Sequence, residues 1–171
     1  MTQLDKYARD AHSWRDFAKV NHVAAHHLFE SGNPVLYLIA ATLGHHALEL
    51  YLKSALINEG MTVYDPGKLQ GLDPSVGLKA EDCIWGHSAS KLAEKLAEKR
   101  KELNLDEKIP DPRPWDTPQT MTLREAFALF DPFFWEIRYP GETEKVEGVG
   151  QEEGEILDTL VERLKAFLKN V

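Results

Sequence analysis

Apolar positions fall three and four residues apart in successive stretches of the chain, the spacing of one helix face. The first stretch runs Leu4, Tyr7, Ala11, Trp14, Ala18, Asn21, Ala25 and Leu28 and stops at Ser31-Gly32-Asn33-Pro34. There Asn33 can cap a second helix, and Pro34 suits that helix's first position. The second helix is predicted to reach about Glu59, with Gly60 ending it. Its main stripe is Leu36, Ala40, Leu43, Ala47, Leu50, Ser54 and Ile57, and a second apolar face carries Val35, Leu38, Leu52 and Leu56. A helix apolar on two faces belongs at the centre of a bundle or at an interface between chains. Met61–Gly86 has glycines and prolines but no sustained period, so it reads as a long connection. Helical spacing resumes over His87–Leu103, with Ala89, Leu92, Ala93 and Leu96 inward, and a proline-rich linker follows at Asp106–Pro118. Thr122-Leu123-Arg124-Glu125 is a capping-box sequence. It opens a helix marked by Leu123, Ala126, Phe127, Phe130, Phe133, Phe134 and Ile137, kinked or restarted at Pro132. An acidic loop, Gly141–Gly154, leads to a closing helix carrying Ile156, Leu157, Leu160, Leu164 and Phe167. No stretch alternates long enough for a strand. The expectation is an all-α, up-and-down bundle of four to five helices, one domain over residues 1–171.

Composition narrows the function. With 171 residues, 43% hydrophobic and 28% charged, the chain can bury a core unaided and fits a soluble globule. Its longest apolar run, Val35–Leu43, is far shorter than the roughly 20 residues of a membrane span. The opening MTQLDKYARD lacks the basic-then-apolar layout of a secretory leader. A single cysteine, Cys83, leaves neither an internal disulfide nor a multi-thiolate zinc site. A cytoplasmic protein without a cofactor is expected. Net charge of −8 disfavours duplex DNA, whose affinity comes from lysine and arginine meeting phosphates.

Candidate chemistry gathers on the first two helices. Arg15, Lys19, His22 and His26 form a polar line about 100° around from the first core stripe. His45, Glu49 and Lys53 form another on helix two, with His46 alongside. Burying such a trio is costly unless its members pair or hold a ligand. At the surface, Glu49–Lys53 would be an ordinary helix pair worth about 0.3–0.5 kcal/mol. His22 and His26, four apart, could share a metal, with Glu30 or Glu49 adding oxygen. The di-iron bundle pattern needs Glu-x-x-His, however, and helix two has the reverse, His46-x-x-Glu49. Neither Gly-x-Ser-x-Gly nor a P-loop is present, and GVGQEEG lacks a strand before it. Cys83 and His87 are a weak pair, with the cysteine read as a small half-buried thiol. Trp85, Trp115 and Trp135 read as core or lid.

Three segments in order, ALELYLKSALINEG (Ala47–Gly60), GHSASKL (Gly86–Leu92) and WEIRYPGE (Trp135–Glu142), resemble the HEPN superfamily of nucleotide-binding helical domains. The resemblance spans most of Leu4–Leu168. It places Glu49 and Lys53 on the family's helix-two glutamate and lysine, His87 on its helix-three histidine, and Arg138, Tyr139 and Pro140 on its Arg-Tyr-Pro. Departures are Ser88-Ala89 for the helix-three Asp-Leu, Leu43 for a helix-two histidine, and His45-His46 for paired glutamines. Ribonuclease members use Arg-x4–6-His, but no histidine follows Arg138, and the nearest spacing is Arg15…His22 on helix one.

The resemblance implies the branch without that motif: a non-catalytic domain that binds a nucleotide-like or other anionic ligand, commonly as a homodimer. Arg138 could take a phosphate in a cleft between helices two, three and four, with His87 and Lys53 adding donors and Tyr139 a stacking face. Otherwise Arg138 pairs with Glu49 or Glu142 and Arg-Tyr-Pro is a structural corner. Two further readings stay open. One is a protein-interaction module, partner of a nucleotidyltransferase in a toxin–antitoxin or defence pair. The other is an enzyme: a divergent ribonuclease on Arg15 and His22, or a metal bundle on His22, His26 and His45.

Overall fold

A computed structural model of the chain describes residues 3–133 and 148–168; Arg138 and Tyr139 lie outside them, as does the expected end of helix four. The described part is mostly helical. Helix α1 spans Ala11–Glu30 and α2 spans Pro34–Asn58. Asn33 caps α2 by accepting the Val35 amide at 3.1 Å, with Pro34 in the first turn, as the sequence predicts. Gly60 follows the end of α2 with φ of +86°, a conformation open to glycine. Helix α1 begins seven residues later than Leu4. Asp10 accepts from the Ser13 amide at 3.1 Å and starts the helix there. The chain before it is held elsewhere, with Ala8 buried and its carbonyl accepting from Val63 N–H at 2.8 Å.

Helix α3 covers Ala89–Lys99, α4 covers Leu123–Phe130 and α5 covers Glu152–Lys165. The capping box at Thr122 and Glu125 forms in full, both halves made. Helix α2 packs against α1, α3, α4 and α5, and this enclosure explains its two apolar faces. Leu52 and Leu56, expected on a possible interface, are fully buried within the chain, whereas Val35 at the helix start is 80% exposed. By length and mean hydropathy (1.3) α2 could cross a membrane, as the central helix of a packed domain also could.

The fold differs from a pure helical bundle in two small sheets. Strand β1 (Thr62–Val63) pairs in parallel with β2 (Cys83–Ile84), and between them lie three short 3-10 turns. Strand β3 (Lys108–Asp111) pairs antiparallel with β4 (Gln119–Thr122), with Ile109 opposite Met121 and both buried. Strands of two and four residues are too short to show a period of two, so they read as connections. Their pairing satisfies backbone groups that both connections would otherwise bury unpaired.

Two glycines set how closely α5 approaches. A Cβ on Gly44 of α2 would meet Leu157 Cδ2 at 3.0 Å and Phe130 Cε1 at 3.3 Å. A Cβ on Gly154 would lie 2.9 Å from Phe29 Cβ, an atom fixed to the α1 backbone that cannot swing away. Gly154→Ala is therefore expected to lower stability by about 1–3 kcal/mol, the usual cost of overpacking. Urea unfolding checks this, and an unchanged midpoint would contradict the packing.

Candidate functional site

The central helix carries a carboxylate in its middle. Glu49 is 2% exposed, and Lys53, one turn on, donates from Nζ to Oε1 at 2.6 Å. This is a buried pair, not the surface pair that spacing alone allows. Lys53 Nζ also lies 5.3 Å from the centre of the Trp14 ring on α1, so its charge meets a carboxylate and an aromatic face. His87 approaches the same Oε1 from the start of α3, with Nδ1 at 3.1 Å and its side chain 45% exposed. His45 Nε2 and His46 Nδ1 each stand 3.9 Å from Oε2, too far for a hydrogen bond. Oε2 accepts no hydrogen bond among the described residues. His45 is buried and His46 half-exposed.

The position of His87 is built from further along the chain. Gly86, at φ of +102°, turns the backbone just before it. Ser88 caps α3, accepting from Lys91 N–H at 3.2 Å. Asp131, at the end of α4, then accepts from the Ala89 amide at 2.6 Å, the Ser90 amide at 3.3 Å, Ser88 Oγ at 2.9 Å and Ser90 Oγ. This carboxylate occupies the positive end of the α3 dipole, so an anionic ligand cannot use it. It fixes His87 by fixing the helix that follows.

Burial pushes the Glu49 carboxyl up. His46, the Lys53 ammonium with its hydrogen bond and the charge of His87 outweigh burial and hold the pKa at about 2. Burial pushes His45 down, against the charges of Glu49 and Asp131, so its imidazole is neutral at neutral pH. A second buried carboxyl, Glu153, shifts upward, because burial outweighs the Gly150 amide that donates to it at 2.6 Å.

His22 and His26 meet a residue the sequence reading did not include. Both donate across to Asp158 of α5, His22 Nε2 at 2.7 Å and His26 Nδ1 at 3.0 Å. His26 Nε2 also stands 3.2 Å from Glu30. The rings clip α1 to α5, and no group of three metal-ligating side chains is found among the described residues. Asp158 could have been sought as a lone carboxylate next to the apolar pair Ile156-Leu157 of a closing helix; nothing in the sequence pairs it with His22. Arg15 and His22 do share one cleft. The Cys83 thiol is buried, donates to the Lys79 carbonyl at 3.3 Å, and is pushed up by burial. Trp85 and Trp115 are exposed rather than core. Trp115 joins a hub missed in the supposed linker: Arg113 donates to Asp111 from Nε at 2.8 Å and from a terminal nitrogen at 2.7 Å, and Trp115 Nε1 donates at 2.8 Å.

The site residues expected from sequence thus divide three ways. Glu49, Lys53, His87 and His45 come together, Arg15, His22 and His26 lie along α1, and Arg138 and Tyr139 fall outside the described residues. No protein-family model matches this chain, and neither a curated protein nor a solved structure does.

The cluster dictates a pH response. A glutamate in an unfolded chain protonates near about pH 4.3, and folded Glu49 does so at about 2, so its contribution is present above about pH 4.3 and lost as pH falls toward 2. His45 acts in the same direction, because the unfolded histidine takes up a proton below about pH 6.5 more readily than the buried one. Glu153 opposes them, since its raised pKa favours folding at low pH and that contribution fades as pH rises through it. Melting temperature is expected to fall between about pH 6 and 3. Glu49→Gln/Lys53→Met, which removes both charges at similar volume, is expected to flatten the fall below about pH 4.3. Glu49→Gln alone leaves a buried ammonium without its counter-charge and is expected to cost about 3–5 kcal/mol. Thermal melts of the three proteins across pH check these outcomes together.

Proposed function

We propose that this chain is a HEPN-like helical bundle domain, of the branch without the ribonuclease motif, that binds a nucleotide-like or other anionic ligand without turning it over. One observation supports the reading most. Glu49 is an ionised, buried carboxylate whose Oε2 accepts no hydrogen bond among the described residues, and half-exposed His46 and His87 flank it. Shifted titratable groups with an accessible edge are characteristic of ligand sites. In this reading Glu49, Lys53 and His45 hold the geometry, and Lys53 contributes as support because Glu49 and Trp14 take up its ammonium. His87 and Arg138 take the ligand's anionic group, Tyr139 stacks on its ring, and Glu49 accepts a ligand hydroxyl or amine. The domain works in the cytoplasm with no resident cofactor. Calorimetric titration with mononucleotides is expected to show saturable binding that His87→Ala and Arg138→Ala each weaken by about tenfold or more. Absence of binding by any mononucleotide would overturn the reading.

A second reading, an interaction module, is favoured by a different observation. Phe17 and Val20 on α1 are 67% and 68% exposed, and Val35 and Ile39 on α2 are also exposed. Large apolar side chains at the surface of two neighbouring helices suit a protein contact. The partner is a second copy in a homodimer or a nucleotidyltransferase of a toxin–antitoxin or defence pair. Sedimentation tests the homodimer: the wild type is expected to run as a dimer and Phe17→Asp/Val20→Asp as a monomer. A monomeric wild type would leave these exposed side chains for a different partner protein.

A further inference from the structure

Helices α1 and α5 run antiparallel. They touch where Gly154 meets Phe29, and the two histidines reach Asp158 farther along. Beyond that the helices are separated by a cleft of about 680 Å³, lined among others by Arg15, Asp16, Lys19, His22, Tyr51 and Lys165. That volume lies within the roughly 300–1,000 Å³ of small-ligand clefts. Arg15, Lys19 and His22 lie four and seven residues along one face of α1, so they reach the same space. Lys165, the last residue of α5, faces them across the opening. Tyr51 of α2 forms the floor, with the His22 ring edge-on to it at 6.3 Å. It lies about 200° around α2 from Glu49, so the cleft is separate from the charge cluster.

The acidic residues nearby already have partners. Asp16 lies 3.1 Å from His12 Nδ1 and 3.7 Å from Arg15 Nε, Asp158 accepts from both histidines, and Glu162 contacts Lys165. Three cationic side chains from two helices converge in a chain whose net charge is −8. Such a local basic pocket on an acidic protein selects small anions over extended nucleic acid.

We propose that this cleft is a binding site for a small phosphate-bearing molecule. The Arg15 guanidinium takes two phosphate oxygens, Lys19 and Lys165 close on the phosphate from either wall, and the Tyr51 hydroxyl donates from the floor. His22, held by Asp158, forms the inner wall that fixes the ligand's depth.

Calorimetric titration of the full chain with pyrophosphate and with ADP tests this. Saturable binding is expected, weakened by about tenfold or more in Arg15→Ala and in Lys19→Glu. Lys19 is exposed, so its variant keeps the fold and carries the test if Arg15→Ala does not fold. Pyrophosphate binding that survives in His87→Ala and is lost on adding Lys19→Glu is expected, which separates this site from the one proposed above. Equal affinity for the two ligands would assign the site to phosphate alone, and tighter ADP binding would assign it to a nucleotide. Failure of both ligands to bind, or wild-type affinity in Lys19→Glu, would overturn the proposal.

Discussion

A helical stretch enclosed on every side has no solvent face on which to leave a charge, and Ala47 to Ile57 of α2 is such a stretch. Everything near its middle is arranged around that constraint. Glu49 stays ionised because Lys53 binds it directly and imidazoles surround it. Lys53 in turn needs Trp14 on α1, and His87 needs the start of α3. One buried carboxylate therefore ties α1, α2 and α3 together. The pair itself adds little net stability, since a buried ion pair roughly balances its own desolvation.

The second organising carboxylate, Asp131, works by a different principle. It ends α4 and starts α3 through four hydrogen bonds, two of them to backbone amides. A negative charge at the tail of one helix is unfavourable, and the same charge at the head of another is favourable. Joining the two ends in one residue lets the second effect offset the first. Asp158 makes a third cross-helix contact, between α1 and α5. Three carboxylates thus hold the five described α-helices in register, each engaging donors of another helix or segment.

The helices were legible in the sequence wherever packing follows a period. The breaks at Asn33-Pro34, Gly60 and Thr122 showed too, because capping is a local chemistry of a few residues. Burial of Glu49 and Lys53 was half-legible, as a polar line crossing an apolar face. The small sheets were not, because strands of two to four residues leave no periodic trace and their partners lie about 10 to 20 residues away. Asp131 and Asp158 were missed for a related reason. Their roles depend on which residue the fold brings opposite, and a single acid on a helix has no spacing to reveal it. The network of Asp111, Arg113 and Trp115 was hidden by the prolines between its members, which suggested an unstructured linker.

Gly154 and Phe29 fill one volume between them. The two positions, far apart in the chain, behave as a single slot with room for one benzyl group and a bare backbone. A homologue with a side chain at position 154 can keep this helix spacing only with glycine at position 29, since any other residue there keeps the Cβ that is met at 2.9 Å. Substitutions at the two positions are therefore expected to be coupled, and their pairwise variation would mark the fold where surface polar motifs differ.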